Sequence, residues 1–434
     1  MFTVQRLHND YFSWYIWRTV RIAIISLNLK WVAGGQRLTY ELAQAMKRKG
    51  HDIVIYVPDT EYSETVYPDL QKGLAFRKVR VPRGYVWSPR SKSTFRRILY
   101  KIEKEHWLNS VAKRVARALL DDGDRFDIVH PHDNAYKVAY YYRKMGGRAH
   151  VIGENNDPVY AYLPHRESYV YDRLSRFFNW AKNFVERKYF RALEATAVLD
   201  LYNKQWFESR GVPHAEVAHH GTDFARFYAP VKDNAEKFRQ KKVRLMSIGT
   251  LEPYRGYAQL IEIVHLLRDQ GYDATAVIVG DDFWKKAEWR EPLTSRIAMW
   301  HLEPYVTIYF ESVSNDELKK MYAESDIFAY LIYNPPPRNG FGFSSSIPEA
   351  AASGIPSITW TTTTSLEAFK DGESIMAAPP LRADLLAEKV KFLVDHPDAY
   401  RAMAIAAQNI VKSELTWDKY MDRISALFLK FAKE

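Results

Sequence analysis

Apolar runs of strand length alternate along the chain with stretches whose apolar residues recur at helical spacing. Residues 21–27 are almost entirely apolar and predict a buried parallel strand. Gly34 and Gly35 follow in a predicted loop, a helical pattern then runs to Gly50, and residues 53–57 predict the returning strand. A strand, a helix and a second strand in this order predict a right-handed parallel crossover.

The second half of the chain repeats this pattern. Residues 243–248 predict a strand, the glycine-bearing loop 249–256 follows, and a helical pattern continues until Gly271. Residues 274–279 predict the returning strand. Two halves of this kind predict an α/β protein with two Rossmann-like domains that face a central cleft.

A polar, charged stretch near residues 232–240 separates the two halves. We therefore expect a first Rossmann-like domain over residues 20–230 and a second over residues 240–410. Residues 1–19 form an aromatic and basic extension ahead of the first strand, and a last helix is expected over residues 416–434.

Composition narrows the class of protein further. The 434 residues include no cysteine, which excludes disulfides, thiolate metal sites and cysteine nucleophiles and fits a reducing cytoplasm. No apolar run reaches the length of a membrane span, and the N-terminus lacks the apolar core of a signal peptide. No spacing of histidine, aspartate and glutamate predicts a metal site. We therefore expect a cytoplasmic protein without a metal cofactor.

The net charge of +10 is unevenly spread. Residues 72–117 hold fourteen basic residues against two acidic ones, with aromatic residues between them. This segment is either a solvated basic face or a surface that contacts an anionic membrane, in which case the protein would be peripheral to the inner face of that membrane. Nucleic acid is a third possible partner, but no recognition motif supports it and none is expected to bind.

The most informative stretch is residues 342–356, which predicts a loop, a short helix and a turn. Ser344 and Ser345 suit the N-cap, the alanines that follow favour helix, and Gly354 ends it. The backbone N–H groups at such a helix N-terminus form a ready anion site. Glu349 in the first turn either suits the helix dipole or accepts two hydrogen bonds from a sugar diol beside a bound phosphate.

This stretch resembles the second half of the E-x7-E signature of family 4 glycosyltransferases, which have the GT-B fold. Four further segments resemble family motifs and occur in the family order: the Gly34–Gly35 pair before its helix, residues 127–133, residues 217–223 and the diphosphate loop 249–256. The resemblance covers nearly all of the chain after residue 20. It implies that the last helix packs back on the first domain.

The resemblance assigns Glu349 to the carboxylate that holds the ribose hydroxyls of a nucleotide. The first carboxylate of the signature should stand eight positions earlier, where this chain has Phe341. Asn339 could replace it if the loop is longer than usual. Because a phenyl ring accepts no hydrogen bond from a sugar hydroxyl, we expect a donor sugar with fewer or displaced hydroxyls on that side.

Further donor-binding candidates follow from the same resemblance. Arg255 is expected to contact the diphosphate, or else it is a solvent-exposed arginine at the start of a helix. The widespread family version has an arginine where this chain has Thr250. Arg338 either supplies the missing charge or is a surface arginine. The remaining candidates are glycines that allow close approach of the backbone, and neighbours in the loop before Glu349: Gly34, Gly35, Gly342, Phe343, Ser344 and Ser345.

Two residues of the first half are candidates for catalysis. His132 ends a predicted strand at the carboxyl edge, where α/β clefts bind ligands, although it could also be a structural histidine. Glu154 lies at the end of the next predicted strand. It could orient the acceptor hydroxyl or take its proton, or it could be a solvated loop carboxylate.

We expect a retaining glycosyltransferase of polysaccharide biosynthesis. It would move a sugar from a nucleotide-sugar donor to a glycan or lipid-linked acceptor, with no metal and no further cofactor. One alternative is a catalytically impaired protein that binds sugar nucleotides or glycans and lost its activity with the carboxylate that Phe341 replaces. A membrane-surface assembly protein is another.

Overall fold

The computed structural model describes residues 19–30, 34–82, 94–123, 126–156, 184–282, 287–333 and 343–432. Residues 1–18 of the expected N-terminal extension lie outside the described residues. So do Arg338, Asn339, Phe341 and Gly342 of the loop before Glu349, and part of the basic segment.

The first domain is built on a parallel sheet, with seven strands in the described part of the chain. They are β1 (Arg21–Ile25), β2 (Asp52–Pro58), β3 (Ala75–Val79), β4 (Ile128–Pro131), β5 (His150–Asn155), β6 (Ala195–Val198) and β7 (His214–Val217), in the spatial order β3-β2-β1-β4-β5-β6-β7. The helices are α1 (Gly34–Arg48), α2 (Pro68–Gln71), α3 (Thr94–Asp121), α4 (Tyr136–Lys144), α5 (184–190) and α6 (Leu201–Glu208).

The second domain has a parallel sheet of six described strands. They are β8 (Lys242–Thr250), β9 (Asp273–Asp281), β10 (Val306–Tyr309), β11 (Ile327–Tyr330), β12 (Ser357–Trp360) and β13 (Met376–Ala378), in the order β10-β9-β8-β11-β12-β13. The helices that follow the first sheet along the chain are α7 (Phe224–Phe227), α8 (Ala235–Arg239), α9 (Tyr257–Asp269), α10 (Ala287–Met299), α11 (Asn315–Glu324), α12 (Ser346–Ala352), α13 (Ala383–Asp395), α14 (Pro397–Glu414) and, last in the chain, α15 (Trp417–Ala432).

The last helix, α15, returns to the first domain. Its Tyr420, Ile424 and Phe428 are buried in one apolar cluster with Ile24 of β1 and Leu38 of α1. Burying an apolar stripe of this kind is what holds an amphipathic helix in place. The chain therefore passes between the domains twice, once after β7 and once before α15.

The two crossings touch each other. Thr222 and Thr416 form a parallel bridge, and the Thr222 N–H donates to the carbonyl of Leu415 at 2.8 Å. A Cβ on Gly221 would lie 2.5 Å from the backbone of Trp417. Only glycine allows this approach, so the two crossings pack directly against each other.

One local expectation from the sequence is wrong, and the stretch between the two halves also contains a helix. Gly34 and Gly35 form the first turn of α1 rather than a loop, because a glycine pair is compatible with either structure when its neighbours favour helix. The polar stretch near residues 232–240 is more than a linker, since it contains α8. The buried Phe238 of α8 packs against Tyr400 with ring centroids 5.1 Å apart.

None of the described helices is both long and apolar enough to cross a membrane. The 28-residue α3 is amphipathic instead. It buries Leu108 and Val115 and exposes Lys113, Arg114 and Arg117.

The turn before α9 depends on Gly256, and its replacement by alanine should destabilise the protein. Gly256 has φ +75°, and a Cβ there would lie 2.2 Å from the carbonyl oxygen of Leu331. The control is Gly271→Ala, since Gly271 has φ +82° but nothing within 4 Å of a Cβ. Both variants place alanine in a left-handed backbone conformation. The clash with Leu331 should lower the unfolding free energy of Gly256→Ala by roughly a further 1–3 kcal/mol. Equal unfolding free energies in urea would contradict the close packing against Leu331.

Candidate functional site

The N-terminus of α12 lies just beyond the carboxyl end of β11, at one edge of the second sheet. The hydroxyl of Ser344 accepts hydrogen bonds from the N–H groups of Ser346 at 3.2 Å and Ile347 at 3.4 Å. Ser345 is exposed and its side chain makes no capping bond, so Ser344 is the residue that caps this helix.

Glu349 lies in the first turn of α12, half-buried. The hydroxyl of Tyr322 donates a hydrogen bond to its Oε2 at 3.3 Å. Burial raises the pKa of the Glu349 carboxyl to about 7, although the charge of Arg37, the Tyr322 hydroxyl and the charge of Arg226 act in the opposite direction. Because Arg37 belongs to α1, Glu349 lies where the second domain faces the first.

Phe343 has a packing role. Its side chain is 3% exposed, and its ring stacks on His219 with centroids 4.3 Å apart. His219 belongs to the first crossing between the domains. The Phe343 ring therefore fixes the start of α12 against that crossing, and only its backbone remains available to a ligand.

Arg255 lies in a 3₁₀ turn between β8 and α9. Its Nη2 donates to the hydroxyl of Thr250 at 3.2 Å, while its Nε is buried without a hydrogen-bond partner among the described residues. The N–H of Tyr333 donates to the carbonyl of Tyr254 at 3.0 Å, which ties this loop to the end of β11. The arginine is thus held at the same sheet edge as α12, with hydrogen-bonding capacity unused.

A cavity of about 720 Å³ opens beside this loop. It lies at the carboxyl ends of β9 and β10 and is lined in part by Asp281, Arg290 and Phe310. The Arg290 guanidinium lies over the Phe310 ring, 4.7 Å from its centroid. Burial, together with the neighbouring Asp282, raises the pKa of Asp281. The N–H of Leu251 donates to the Asp281 carbonyl at 2.7 Å, so the cavity adjoins the Arg255 loop.

On the first domain, Gly34 and Gly35 open α1. Gly34 is exposed, and a Cβ on Gly35 would lie 3.5 Å from Oδ2 of Asp133. Asp133 follows β4, and its Oδ1 accepts from the N–H of Asn156 after β5 at 2.9 Å. The amino end of α1 therefore meets the carboxyl ends of β4 and β5.

His132 and Glu154 lie beneath this surface, 3% and 1% exposed. Glu154 belongs to β5, so the reading of a solvated loop carboxylate is wrong. Its Oε2 lies 3.4 Å from Nε2 of His130 and 3.8 Å from Nε2 of His132. Neither predicted catalytic residue reaches the cleft surface in this conformation, and their catalytic role stays a prediction.

Two more polar side chains border this cluster, the partly exposed His220 from the first crossing and the buried Tyr420 from α15. Burial lowers the pKa of His132 and of His220 to about 4, against the effect of Glu154. Burial alone would raise the pKa of Glu154, but His132, His130 and the Tyr420 hydroxyl outweigh it and bring the value to about 2. The buried carboxylate of Glu154 is thus surrounded by the imidazoles of His130, His132 and His220.

Comparison with known proteins decides the family. Residues 32–226 match the model for glycosyltransferase family 4, and residues 230–410 match the model for glycosyl transferases group 1. The chain is a family 4 glycosyltransferase. Its predicted GT-B fold, with two Rossmann-like domains, is confirmed by the two parallel sheets and by the solved structures that resemble it.

Those structures cover almost the whole chain at low sequence identity. A glycosyltransferase from Rickettsia africae ESF-5 aligns with a TM-score of 0.69 at 17% identity, over 96% of this chain and 100% of that one. Sucrose-phosphate synthase from Thermosynechococcus elongatus aligns with a TM-score of 0.71 at 17% sequence identity, and the alignment covers 96% of this chain and 100% of that one. Anabaena HepE in complex with UDP-glucose aligns with a TM-score of 0.67 at 14% sequence identity, and the alignment covers 95% of this chain and 100% of that one. No curated protein matches the sequence.

Several residues of this candidate site were missed from the sequence. His130 carried a usable signal, because residues two apart on a strand share one face and His132 was already a candidate. Tyr322 and Arg37 beside Glu349 carried no signal, since each comes from a helix far away in the sequence. The same holds for Tyr420 beside Glu154, which only the return of α15 brings there.

Proposed function

We propose that this glycosyltransferase retains anomeric configuration and moves a sugar from a nucleotide-sugar donor to a glycan or lipid-linked acceptor. The donor assignment rests on one observation: Arg255 and Glu349 lie at the same edge of the second sheet. An arginine with unused donors and a carboxylate with free acceptor capacity match the two ends of a nucleoside diphosphate. The UDP-glucose complex of the structurally similar Anabaena HepE supports this class of donor.

Each part of the donor has a partner in this assignment. The diphosphate binds Arg255, Thr250 and the N-terminus of α12, where the helix dipole favours negative charge. Glu349 accepts hydrogen bonds from the ribose hydroxyls. The cavity beside Phe310 is large enough for the base. Gly34 and Gly35 at the amino end of α1 complete the phosphate surroundings from the first domain.

Transfer then occurs on one face of the donor sugar. The bond from C1 to the phosphate oxygen breaks, and the bond from C1 to the acceptor oxygen forms on the same face. The acceptor proton passes to an oxygen of the leaving diphosphate. Arg255 and the positive end of the α12 helix dipole stabilise the charge that develops on this leaving group, so the transfer itself requires no metal.

Turnover of nucleotide sugars by the full-length protein tests this function. Incubation with a panel of UDP-, GDP-, ADP- and dTDP-sugars should release nucleoside diphosphate from at least one of them, with water as a slow acceptor. Binding of a nucleotide sugar without any release would favour the alternative of a catalytically impaired binding protein. The loss of the first motif carboxylate at Phe341 is the observation behind that alternative.

We further propose that the acceptor lies at the inner face of an anionic membrane, which the protein reaches through α3. Replacement of Lys113, Arg114 and Arg117 by glutamine should weaken binding to anionic vesicles at least tenfold, since each such residue contributes about 1 kcal/mol near a charged surface. Sedimentation of full-length protein with anionic and neutral vesicles measures this.

The control for the vesicle experiment removes the same charge elsewhere. The residues are Arg239, Lys320 and Lys370, whose side chains are 74–77% exposed on the second domain. This control should bind like the wild type. Equal binding of the wild type to anionic and neutral vesicles would contradict an electrostatic contact, and so would equal loss in the two triple variants.

A further inference from the structure

The tautomer of His130 is determined by its surroundings. Its Nδ1 lies 2.5 Å from the carbonyl oxygen of Ile152. A carbonyl oxygen only accepts hydrogen bonds, so Nδ1 must carry the proton. In the neutral ring Nε2 is then unprotonated, and its lone pair faces Oε2 of Glu154 at a distance of 3.4 Å.

The tautomer of His132 is determined by one further step. Its Nδ1 lies 3.0 Å from the hydroxyl oxygen of Thr39. That hydroxyl has one proton, which it donates to the carbonyl of Gly35 at 3.2 Å. When Thr39 donates to Gly35 in this way it accepts from His132, and Nδ1 of His132 then carries the proton. Nε2 is left as a lone pair that faces the same oxygen of Glu154, at 3.8 Å.

Three lone-pair atoms thus converge in a site whose side chains are at most 2% exposed. Nε2 of His132 has no hydrogen-bond partner among the described residues. Acceptors that face one another out of reach of water are costly unless something positive lies between them. The geometry calls for a cation at this point.

We propose that His130, His132 and Glu154 bind a divalent transition-metal ion, with zinc the best fit. Two imidazoles and one carboxylate form a common zinc ligand set. All three ligand atoms lie within 4.8 Å of one another. Bonds of about 2.0–2.2 Å in tetrahedral geometry place ligand atoms roughly 3.3–3.6 Å apart. The two histidine–Glu154 distances are 3.4 and 3.8 Å, and the two histidine nitrogens lie within 4.8 Å of each other.

The groups around the three ligands fit the same assignment. Ligand histidines usually donate their second N–H to a carbonyl or similar acceptor, as His130 does to Ile152 and His132 does to Thr39. Nε2 of His220 is also buried and has no hydrogen-bond partner among the described residues, which makes it a candidate fourth ligand. The ion would join β4 and β5 to the first crossing between the domains.

This site is separate from the leaving-group chemistry proposed above. Its three ligands belong to the first domain, whereas Arg255 and Glu349 belong to the second. The competing explanation is an additional proton, which would make one histidine an imidazolium paired with Glu154. The two explanations differ in whether the full-length protein binds a metal.

The test begins with the metal content of the full-length protein, as purified and after treatment with chelator, by mass spectrometry. Co²⁺ is then titrated into the chelator-treated protein. We expect one ion per chain, with visible absorption bands of nitrogen- and oxygen-bound Co²⁺ that Zn²⁺ abolishes. Thr39→Val removes only the hydroxyl that orients His132 and should weaken Co²⁺ binding about 10- to 100-fold.

Ligand variants and a matched control complete the experiment. His132→Gln and Glu154→Gln should lower the affinity at least as much as Thr39→Val. The control His150→Gln also removes a histidine that faces a carboxylate, Glu194 at 2.7 Å, but on the surface, and it should bind as the wild type does. Folding of each variant is checked by circular dichroism.

Two outcomes would overturn the proposal. One is a wild-type protein that neither contains nor takes up an ion at micromolar Co²⁺ or Zn²⁺, in which case imidazole ¹⁵N shifts should show a doubly protonated ring. The other is a bound ion whose affinity is the same in wild type, Thr39→Val and Glu154→Gln, since that ion lies elsewhere.

Discussion

Replacing Arg255 with alanine should lower kcat for donor turnover by about 100- to 1000-fold, the range found when one donor to a developing anion is removed. Its guanidinium is positioned by Thr250, and its buried Nε lacks a partner among the described residues. The charge on the leaving diphosphate would lose its main cation. Arg255→Lys should fall in between, because an ammonium keeps the charge but not the paired N–H geometry.

The control for Arg255 is Arg239→Ala. Arg239 is exposed, pairs with Glu236 at 2.8 Å on α8 and should leave kcat unchanged. Steady-state kinetics with the best donor of the panel measures both. If Arg255→Ala loses less than about threefold in kcat, the leaving group is stabilised elsewhere, and the diphosphate assignment fails.

Replacing Glu349 with alanine should weaken nucleotide binding by about 1.5–3 kcal/mol, or roughly 10- to 150-fold, since hydrogen bonds to a charged group are lost. The free energy of unfolding should change less, because Glu349 is only half-buried and its side chain has one hydrogen-bond partner among the described residues, Tyr322. Calorimetry at pH 8, where the carboxyl is ionised, gives the affinity. Unchanged affinity would contradict the ribose role.

Titration of Glu349 should also make the nucleotide affinity depend on pH. Only the ionised carboxylate accepts two hydrogen bonds from a diol, and burial raises the pKa of Glu349 to about 7. Nucleotide affinity should therefore rise with pH between about 6 and 8 and then level off. The free energy of unfolding should instead fall as the pH rises. The pKa of Glu349 is about 7 in the folded state and 4.5 in the unfolded state, so ionising this carboxyl favours the unfolded chain as the pH rises from 4.5 to 7.

A second carboxyl offers the matched control for this pH profile. Burial also raises the pKa of Glu367 to about 7, but both of its carboxylate oxygens already accept from the N–H of Leu201. Glu367→Gln should keep the rise in affinity, and Glu349→Gln should remove it. The reverse pattern would show that the titrating group is not Glu349.

The fold was predictable because parallel strands covered on both faces are continuous apolar runs. β1, β2, β8 and β9 stand out in the sequence for that reason. Glycine carries less information, as Gly34 and Gly35 show: the pair starts α1 although it resembles a loop. Short or charged elements such as β3 (Ala75–Val79) have no comparable pattern.

The candidate site was predictable where it is local in sequence. Glu349 and Arg255 each lie in one short segment whose residues set its conformation. The histidine cluster is different, because it needs β4, β5, the first crossing and α15 to meet. Pairings across such distances depend on how the helices pack, which residue spacing does not encode.

The most direct test of the central proposal follows donor turnover by ¹H NMR and reads the configuration of the first sugar released. The account predicts release of a nucleoside diphosphate and a sugar that initially has the donor's anomeric configuration, with mutarotation following later. Arg255→Ala should slow this release strongly. Initial release of the opposite anomer would contradict retention, and binding of the donor without any release, in wild type and variant alike, would contradict the proposed transfer.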